Sequence, residues 1–322
     1  MKIKGMNILI TGAAGFIGSH LAEKIADEEP NELFLLDNLF LGSKKNLDAA
    51  IKKFPKSKLF LGKEYSMSDF SFLNNFFNEN RVDLVFDLAT IPLPVSLEDP
   101  KWCYEEITQM AVNICEILRM KKFKKLIHCS TSEVYGTAVF APMDESHPWN
   151  SRTSYAAAKG AADLCVMSYV NTFELDAVIV RPFNTFGPRQ NDGNYAGVIP
   201  IFTNNAIRGD QSEIFGDGKQ TRDFSYVSDV AEAFVEVSGS DYIPGEVINV
   251  SSKNEISIIE LGKNIYDNFD LDFEPSFQAK RIGDVDRHCS ATIRLNEITN
   301  FTPKISLEKG IEKTIAWYKE KS

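Results

Sequence analysis

Two side chains suited to acid–base chemistry, Tyr155 and Lys159, lie four residues apart. On a helix this spacing places both on one face, so the phenol and the ammonium can converge. A free phenol has a pKa near ~10 and is a poor base at neutral pH, but a neighbouring positive charge favours the phenolate and lowers its pKa. We therefore predict that Tyr155 takes a proton from a hydroxyl group, with Lys159 as its partner.

The Tyr-x-x-x-Lys spacing often occurs by chance, and its place in the chain is what makes it specific here. It opens a predicted helix, 156–173, that follows a predicted strand, 125–129. Thr131, Ser132 and Glu133 stand at the tip of that strand, and the carboxyl ends of parallel strands form ligand sites. We predict that Thr131 hydrogen-bonds the reacting oxygen and that Glu133 is a further catalytic group.

A glycine-rich turn near the start of the chain predicts where a cofactor binds. The apolar run 8–10 is typical of a buried strand, and Gly12, Gly15 and Gly18 follow it at three-residue spacing. Gly12 permits a tight turn, Gly15 lets backbone N–H groups approach a pyrophosphate at a helix N-terminus, and Gly18 lets the helix pack closely on the sheet. The spacing is that of a dinucleotide-binding turn. Its predicted contacts are Gly12, Gly15, Phe16, Ile17 and Gly18.

A carboxylate ends the next predicted strand, 33–36, and indicates which dinucleotide binds. Asp37 lies about 20 residues beyond the last glycine, where an acid accepts hydrogen bonds from an adenosine ribose. Because it repels a 2′-phosphate, we predict NAD rather than NADP, with Asn38 as a neighbouring contact. NAD would accept a hydride from the carbon whose hydroxyl proton Tyr155 removes, and Lys159 would also hold the nicotinamide ribose.

Three more cofactor contacts are predicted from their positions. Asp69 hydrogen-bonds the adenine amino group, caps the predicted helix 70–78, or does both. Leu88 and Ala89 lie where the predicted strand 84–88 meets a loop stiffened by two prolines, at the carboxyl end of a central strand.

Strands and helices alternate along the first half of the chain. After the strand at 33–36, strands are predicted at 58–61, 84–88, 125–129 and 177–180, with helical segments between them. This alternation is typical of a parallel sheet covered on both faces, so we predict an α/β fold with a doubly wound parallel sheet. The 322 residues exceed one typical domain and allow a second, smaller lobe.

Composition argues against several classes of partner. The formal net charge of −10 disfavours nucleic acid and anionic membrane surfaces, and no apolar run is long enough to span a bilayer. The chain leads straight into its first strand, so we expect no signal peptide. Five cysteines and four scattered histidines, without metal-type spacing, predict a reducing cytoplasm and no metal site.

Two predicted helices, 102–120 and 156–173, carry apolar sectors wider than packing on one sheet face requires. We expect their second faces to be buried against another subunit. The sequence therefore predicts a homodimer with a four-helix contact.

The motifs together resemble those of a known family. The residues that carry the resemblance run almost from end to end: the glycine turn 11–18, Asp37, Thr131, Tyr155, Lys159, and the segments 181–189, 216–224, 281–285 and 317–318. The chain resembles the extended short-chain dehydrogenase/reductase family, in its group of NAD-dependent nucleotide-sugar epimerases and dehydratases. The resemblance implies a Rossmann NAD-binding domain over 1–180, with a returning segment near 223–250, and a smaller C-terminal α/β lobe over 181–322 that mainly binds the nucleotide sugar.

The same resemblance implies which residues bind the substrate. Asn184, Arg222 and Arg281 match positions that hold the nucleotide diphosphate, and arginine can fork two N–H groups onto phosphate oxygens. Val198 would pass beside the nucleotide, and Phe215 would contact the base. The implied substrate contacts are therefore Ser132, Asn184, Val198, Phe215, Arg222 and Arg281, and the weaker phosphate candidates are Arg189 and Arg287.

Members of this group begin with proton removal by the tyrosine and hydride transfer to NAD, often at sugar C4, and they differ in the later steps. A 4-epimerase or a 4-dehydrogenase needs only Thr131, Tyr155 and Lys159, and these two reactions rank level. A 4,6-dehydratase usually has Asp-Glu after the threonine. Ser132 cannot easily protonate a departing hydroxide, so dehydration ranks lower.

We therefore predict an NAD-dependent enzyme that acts at C4 of a UDP- or GDP-hexose or heptose, for the biosynthesis of surface polysaccharide sugars. A non-catalytic NAD-binding protein on the same fold is a further alternative, but such proteins commonly lose the tyrosine or the lysine. Asp87 stands where relatives usually carry histidine, which leaves the subgroup open.

Overall fold

A computed structural model describes residues 3–193, 195–281 and 283–321. Its first part alternates strands and helices in the order β1 (Asn7–Thr11), α1 (Phe16–Asp27), β2 (Glu32–Asp37), α2 (Asp48–Lys53), β3 (Lys58–Leu61), α3 (Phe70–Glu79), β4 (Leu84–Asp87), α4 (Val95–Glu98), α5 (Pro100–Arg119), β5 (Lys125–Cys129), α6 (Ser154–Phe173) and β6 (Asp176–Pro182). Two short 3₁₀ turns, Lys44–Leu47 and Ser132–Tyr135, lie between these elements.

The second part has shorter strands. Its elements are β7 (Thr185–Phe186), α7 (Val198–Arg208), β8 (Glu213–Phe215), β9 (Thr221–Asp223), β10 (Ser225–Tyr226), α8 (Val227–Ser238), β11 (Val247–Val250), β12 (Glu255–Ser257), α9 (Ile258–Asp267), β13 (Ser276–Gln278), α10 (Ile293–Ile298) and α11 (Leu307–Lys321).

Seven parallel strands form the central sheet, in the order β11-β6-β5-β4-β1-β2-β3. The direction of winding reverses at β1, which pairs with β2 on one side and with β4 on the other. The loops that follow β1 and β4 therefore diverge, and sheets of this type bind ligands in the crevice so formed. This is the doubly wound α/β arrangement predicted from the sequence, and that prediction is confirmed.

Helices cover both faces of the sheet, which explains the unbroken apolar runs of its strands. Ile8 and Ile10 of β1 pack in the layer under α1 and α8. Leu9, between them, packs in the opposite layer with α3, α5 and α6. A strand buried on both faces needs no polar alternation.

The observed boundaries agree closely with the predicted ones, and side chains explain the small differences. Strand β4 ends at Asp87 and not at Leu88, because the amides of Leu88 and Ala89 both donate to Thr11 Oγ1 at 3.1 Å. Helix α6 begins at Ser154, since Thr153 caps it by accepting the amide of Ala156 at 3.1 Å. This cap places Tyr155 in the first turn of the helix.

A third apolar cluster lies in the second part of the chain, among α7, α9 and α11. The cluster contains Phe202, Leu261 and Ile311. This part of the chain also has three two-stranded sheets, which pair β7 with β10, β8 with β13, and β9 with β12. The chain also returns to the large sheet, because β11 pairs with β6 and α8 packs on α1. The division into two domains near residue 180 stays a prediction.

A helix must be about 20 residues long and largely apolar to span a bilayer. Within 3–193, 195–281 and 283–321, no helix combines the length and the apolar character needed to cross a membrane.

Candidate active site

The turn between β1 and α1 has the shape expected of a phosphate-binding turn. Gly12 has a φ of +64°, and a Cβ there would lie 2.9 Å from the backbone of Leu88 and Ala89, so this position requires glycine. A Cβ on Gly18 would lie 2.1 Å from the Gly12 carbonyl oxygen. Helix α1 starts after Gly15 with no side-chain cap, which leaves its first backbone N–H groups free to bind an anion. The turn therefore fits a pyrophosphate.

Asp37 ends β2 at the wall of the same cleft. Its carboxylate accepts the amide of Ala14 at 2.9 Å and that of Leu39 at 2.7 Å, and these bonds hold it in one orientation. Burial raises the pKa of this carboxyl, while the backbone donors act in the opposite direction. Asn38 lines the cleft beside it. A fixed acceptor at this position fits ribose hydroxyls and would repel a 2′-phosphate.

Asp69 adopts the capping arrangement. It is the N-cap of α3 and accepts the amide of Phe72 at 3.0 Å. It is not among the residues that line the cleft, whose wall in this region contains Tyr65 and Met67. A contact between Asp69 and adenine stays a prediction.

A single cleft of about 500 Å³ at the carboxyl ends of β1, β4 and β5 brings most of the predicted residues together. The predicted residues that line it are Gly12, Gly15, Phe16, Ile17, Gly18, Asp37, Asn38, Leu88, Ala89, Thr131, Ser132, Glu133, Tyr155, Lys159 and Asn184. The cofactor-type turn and the acid–base residues therefore share one cavity. The size is that of a small-molecule site.

Three predicted catalytic side chains converge at one wall of the cleft. The Thr131 side chain lies close enough to Tyr155 to lower the pKa of its phenol. Lys159 is buried, and its ammonium donates to the carbonyl oxygen of Cys129 at 2.5 Å, which fixes it at the end of β5. The arrangement can present one phenol and one hydroxyl to a single substrate oxygen.

The electrostatics of Tyr155 are dominated by burial in the protein alone. Burial raises the pKa of the phenol above its ordinary value, and the neighbouring Cys129 and Glu133 act in the same direction. The Thr131 side chain acts in the opposite direction. The lowering of this pKa that was predicted from Lys159 and the positively charged nicotinamide stays a prediction for the NAD-bound enzyme.

Glu133 lies in the 3₁₀ turn Ser132–Tyr135, next to the catalytic threonine. Burial raises the pKa of its carboxyl, the nearby Arg222 lowers it, and Asp284 raises it. Ser132 beside it is 3% exposed. The cleft therefore contains a carboxyl held toward its neutral form in addition to the phenol.

Four of the six residues predicted to bind the substrate do not line the cleft. Val198, Phe215, Arg222 and Arg281 are not among its lining residues. Arg222 donates to Asp284 at 2.6 Å, and the guanidinium of Arg281 lies 3.7 Å from the ring centroid of Phe215. Asn184 lines the cleft, and its amide donates to the carbonyl of Asp223 at 3.3 Å. Their substrate roles stay predictions.

The two weaker phosphate candidates are engaged elsewhere. Arg189 forms an ion pair with Glu23 and donates to Ser19 at 3.3 Å. Arg287 forms a forked ion pair with Glu255, at 2.7 and 3.0 Å. Of the two, only Arg189 lines the cleft.

Asp87, the departure noted in the sequence, has a partner that the sequence analysis missed. Its carboxylate accepts the Thr11 hydroxyl at 2.8 Å and lies 2.8 Å from Nδ1 of His128, its register partner on β5. On the other side of the His128 ring, Nε2 lies 3.9 Å from Asp163, which also pairs with Arg181 at 2.5 Å. All five side chains are buried, so a chain of polar groups runs beneath the cleft. The available signal was that Asp87 and His128 each stand one residue before the end of a predicted strand, 84–88 and 125–129.

Comparison with known proteins agrees with this geometry. Residues 8–251 match the model of the NAD dependent epimerase/dehydratase family. The UDP-glucose 4-epimerase of Mycolicibacterium smegmatis is 33% identical over 98% of this chain and 100% of its own length. The UDP-N-acetyl-alpha-D-glucosaminuronate decarboxylase of Bacillus cytotoxicus is also 33% identical, over 97% of each chain.

A solved structure shows the same fold. The UDP-glucose 4-epimerase of Thermotoga maritima, determined with UDP-glucose, superposes with a TM-score of 0.90 at 29% identity, covering 98% of this chain and 99% of that one. The chain belongs to the NAD-dependent epimerase/dehydratase family of short-chain dehydrogenase/reductase enzymes. It is an enzyme whose cofactor is NAD.

Proposed function

We propose that the protein acts at C4 of a UDP-hexose and inverts the configuration of that carbon, as a 4-epimerase. The observation that supports this most directly is the position of Tyr155, Thr131 and Lys159 in the cavity that also contains the glycine turn and Asp37. The UDP-glucose 4-epimerases described above support the choice of nucleotide and reaction.

In this proposal each residue has a defined task. When bound, NAD accepts a hydride from C4 of the sugar. Tyr155 takes the proton of the C4 hydroxyl, and Thr131 hydrogen-bonds the same oxygen and fixes its position. Lys159, held by Cys129, contributes positive charge and binds the nicotinamide ribose.

The sugar nucleotide would be held mainly by the second part of the chain. Arg222 and Arg281 carry the positive charge for the diphosphate, with Asn184 and Val198 beside it and Ser132 near the sugar. Phe215, already covered by Arg281, offers a ring face for the base. Arg222 would exchange its bond to Asp284 for phosphate oxygens, which accept a forked guanidinium well.

A second candidate is a nucleotide-sugar 4,6-dehydratase, and Glu133 is the observation that favours it. Oxidation at C4 acidifies the proton on C5, and a carboxylate beside the cleft could remove it. Ser132 disfavours this reaction, because a serine is a poor acid for a departing hydroxide. A 4-dehydrogenase, which needs no further group, is the third outcome to be distinguished.

Product masses separate these reactions. Purified protein incubated with UDP- and GDP-hexoses, with and without added NAD, is expected to convert a UDP-hexose into an isomer of unchanged mass. Loss of two hydrogens would indicate dehydrogenation, and loss of water would indicate dehydration. Tyr155→Phe should lower turnover by roughly 10²- to 10⁴-fold. Tyr169→Phe, on the same helix but bonded to Glu116, is the matched control and should retain turnover.

We also propose that the protein is a cytoplasmic homodimer. Apolar side chains remain exposed on the paired helices α5 and α6, with Leu164 at 57% and Phe173 at 45%. Such a surface is suited to burial against its own copy. The five cysteines are free thiols, in keeping with a reducing compartment.

A further inference from the structure

A fully buried imidazole lies behind the cleft carboxyl of Glu133. His288 is 0% exposed, its Nε2 lies 2.9 Å from the carbonyl oxygen of Gly136, and its Nδ1 lies 3.9 Å from Oε1 of Glu133. Gly136 closes the same 3₁₀ turn that carries Glu133. The ring of Phe183 packs edge-on against the imidazole, with 5.9 Å between centroids. Both ring nitrogens are therefore directed at one turn of the cleft wall.

The contact with Gly136 determines the tautomer of His288. A carbonyl oxygen only accepts hydrogen bonds, so Nε2 carries the ring proton and Nδ1 presents a lone pair. Among the residues that the structure describes, this Nδ1 has no hydrogen-bond partner. Buried acceptors are nearly always paired, so an unpaired one beside a carboxyl requires an explanation.

The charges around His288 and Glu133 favour a protonated Glu133 carboxyl as donor and the neutral His288 imidazole as acceptor. Burial, Arg222 and His147 lower the pKa of His288 to about 3, so its imidazole is neutral near pH 7. Burial and Asp284 raise the pKa of Glu133, against the lowering effect of Arg222, so its carboxyl is held toward the protonated form. Tyr155 adds no positive charge, because a phenol is either neutral or negative.

We propose that His288 is a positioning residue for Glu133. Once the side chains close the remaining gap, the carboxyl O–H of Glu133 donates to Nδ1 of His288, and this cleft carboxyl stays neutral. Its other oxygen can accept a hydrogen bond from a sugar hydroxyl, but a neutral Glu133 cannot take the C5 proton. This inference rests on the proposed function, and in that reaction the pair limits the chemistry to C4. A carboxylate at this position would accept the C5 proton, and the C5–H electron pair would move toward the C4 oxygen to give an enolate.

The hydrogen bond itself can be measured without turnover. In NAD-saturated protein labelled with ¹⁵N-histidine, Nδ1 of His288 should have the chemical shift of a hydrogen-bonded nitrogen at pH 7, and Glu133→Leu should move it to that of a free nitrogen. His147 is the internal reference, because it accepts from the Val139 amide and lies 2.9 Å from the Pro148 carbonyl. Identical Nδ1 shifts in wild type and Glu133→Leu overturn the proposal.

The effect on the reaction is tested with His288→Gln, whose amide can still donate to Gly136. During turnover in D₂O at pH 7, this variant should place deuterium at C5 of the sugar about tenfold more often than wild type does. A tenfold change requires the pKa of the Glu133 carboxyl to fall by only about one unit. Equal incorporation in the two proteins contradicts the proposal. If no sugar nucleotide is turned over, the proposed function fails, while the nitrogen shifts still decide the hydrogen bond.

Discussion

Burial holds the Tyr155 phenol in its protonated form, although proton removal from the substrate needs the phenolate. Desolvation penalises the charged form, and the Thr131 side chain opposes this effect. The catalytic strength of this residue is therefore set by its surroundings and not by its type. The same holds for Glu133, because burial also raises the pKa of its carboxyl.

This raised pKa predicts how oxidation depends on pH. Because the phenolate fraction grows as pH rises toward the pKa, the initial rate of cofactor reduction should increase about tenfold per pH unit at low pH and then level off. Thr131→Val removes the hydroxyl that lowers the pKa. It should shift the profile to higher pH and lower the rate at pH 7 by roughly tenfold, as a hydrogen bond to a charged group is worth about 1.5 kcal/mol or more. Rapid-mixing absorbance of the reduced cofactor measures this, and superimposable profiles would count against it.

Asp37 should determine which dinucleotide binds. In Asp37→Asn the side chain keeps its size and an acceptor for the Leu39 amide but loses its charge. We expect NAD to bind about tenfold more weakly, because a charged hydrogen bond becomes a neutral one, and discrimination against NADP to fall sharply. Calorimetric titration with both dinucleotides measures the effect. Asn38→Ala, at the adjacent cleft position, is the control and should preserve the preference for NAD. An unchanged NAD-to-NADP ratio in Asp37→Asn would refute the assignment.

At the scale of elements, the ends of β4 and β5 are joined by the pair Asp87–His128. Both side chains are 3% exposed, and the Asp87 carboxylate also holds the Thr11 hydroxyl, whose oxygen receives the amides of Leu88 and Ala89. The pair therefore connects the sheet to the loop that contacts Gly12. At this point the two strands and the loop are held together by hydrogen bonds between polar groups and not by apolar packing.

Removing one member of this pair should be costly. Asp87→Ala leaves His128 and Thr11 without their acceptor in the sheet, and a buried donor left unpaired typically costs about 1–3 kcal/mol. Asp27→Ala, which removes only an ion pair with Lys53 whose side chains are 51% and 40% exposed, should change stability by less than about 0.5 kcal/mol. Urea midpoints of the two variants measure the difference. Equal midpoints would show that Asp87 is not structural.

At the scale of the whole molecule, local spacing explains what the sequence could predict. The glycine turn, Asp37 and the Tyr155–Lys159 pair each lie within one βα unit or one helix, where strand and helix geometry determines the neighbours. The cleft that unites them results from parallel strand order alone.

What the sequence could not predict depends on contacts between distant segments. The Asp87–His128 pair joins two strands, and the Glu133–His288 contact joins two segments that are far apart in the sequence. Nothing in the local sequence around His288 indicates a site. The rise that burial causes in the pKa of Tyr155 could not be predicted for the same reason, because burial is a property of the assembled cleft.

The paired helices α5 and α6 carry an apolar surface whose partner would lie outside the chain. Each helix buries its inner face against the sheet and against the other helix, yet Tyr104, Val112 and Leu164 remain exposed at 41%, 39% and 57%. If these side chains meet a second copy in a four-helix contact, light scattering at micromolar concentration should give twice the 36.1 kDa of one chain.

A charge at the centre of that contact should separate the subunits, since its burial without a partner is unfavourable. Leu164→Glu is therefore expected to scatter as a monomer, whereas Ile243→Glu, at another exposed apolar position outside these helices, should remain a dimer. A wild-type mass of one chain, or a Leu164→Glu variant that keeps the double mass, would place the interface elsewhere or remove it.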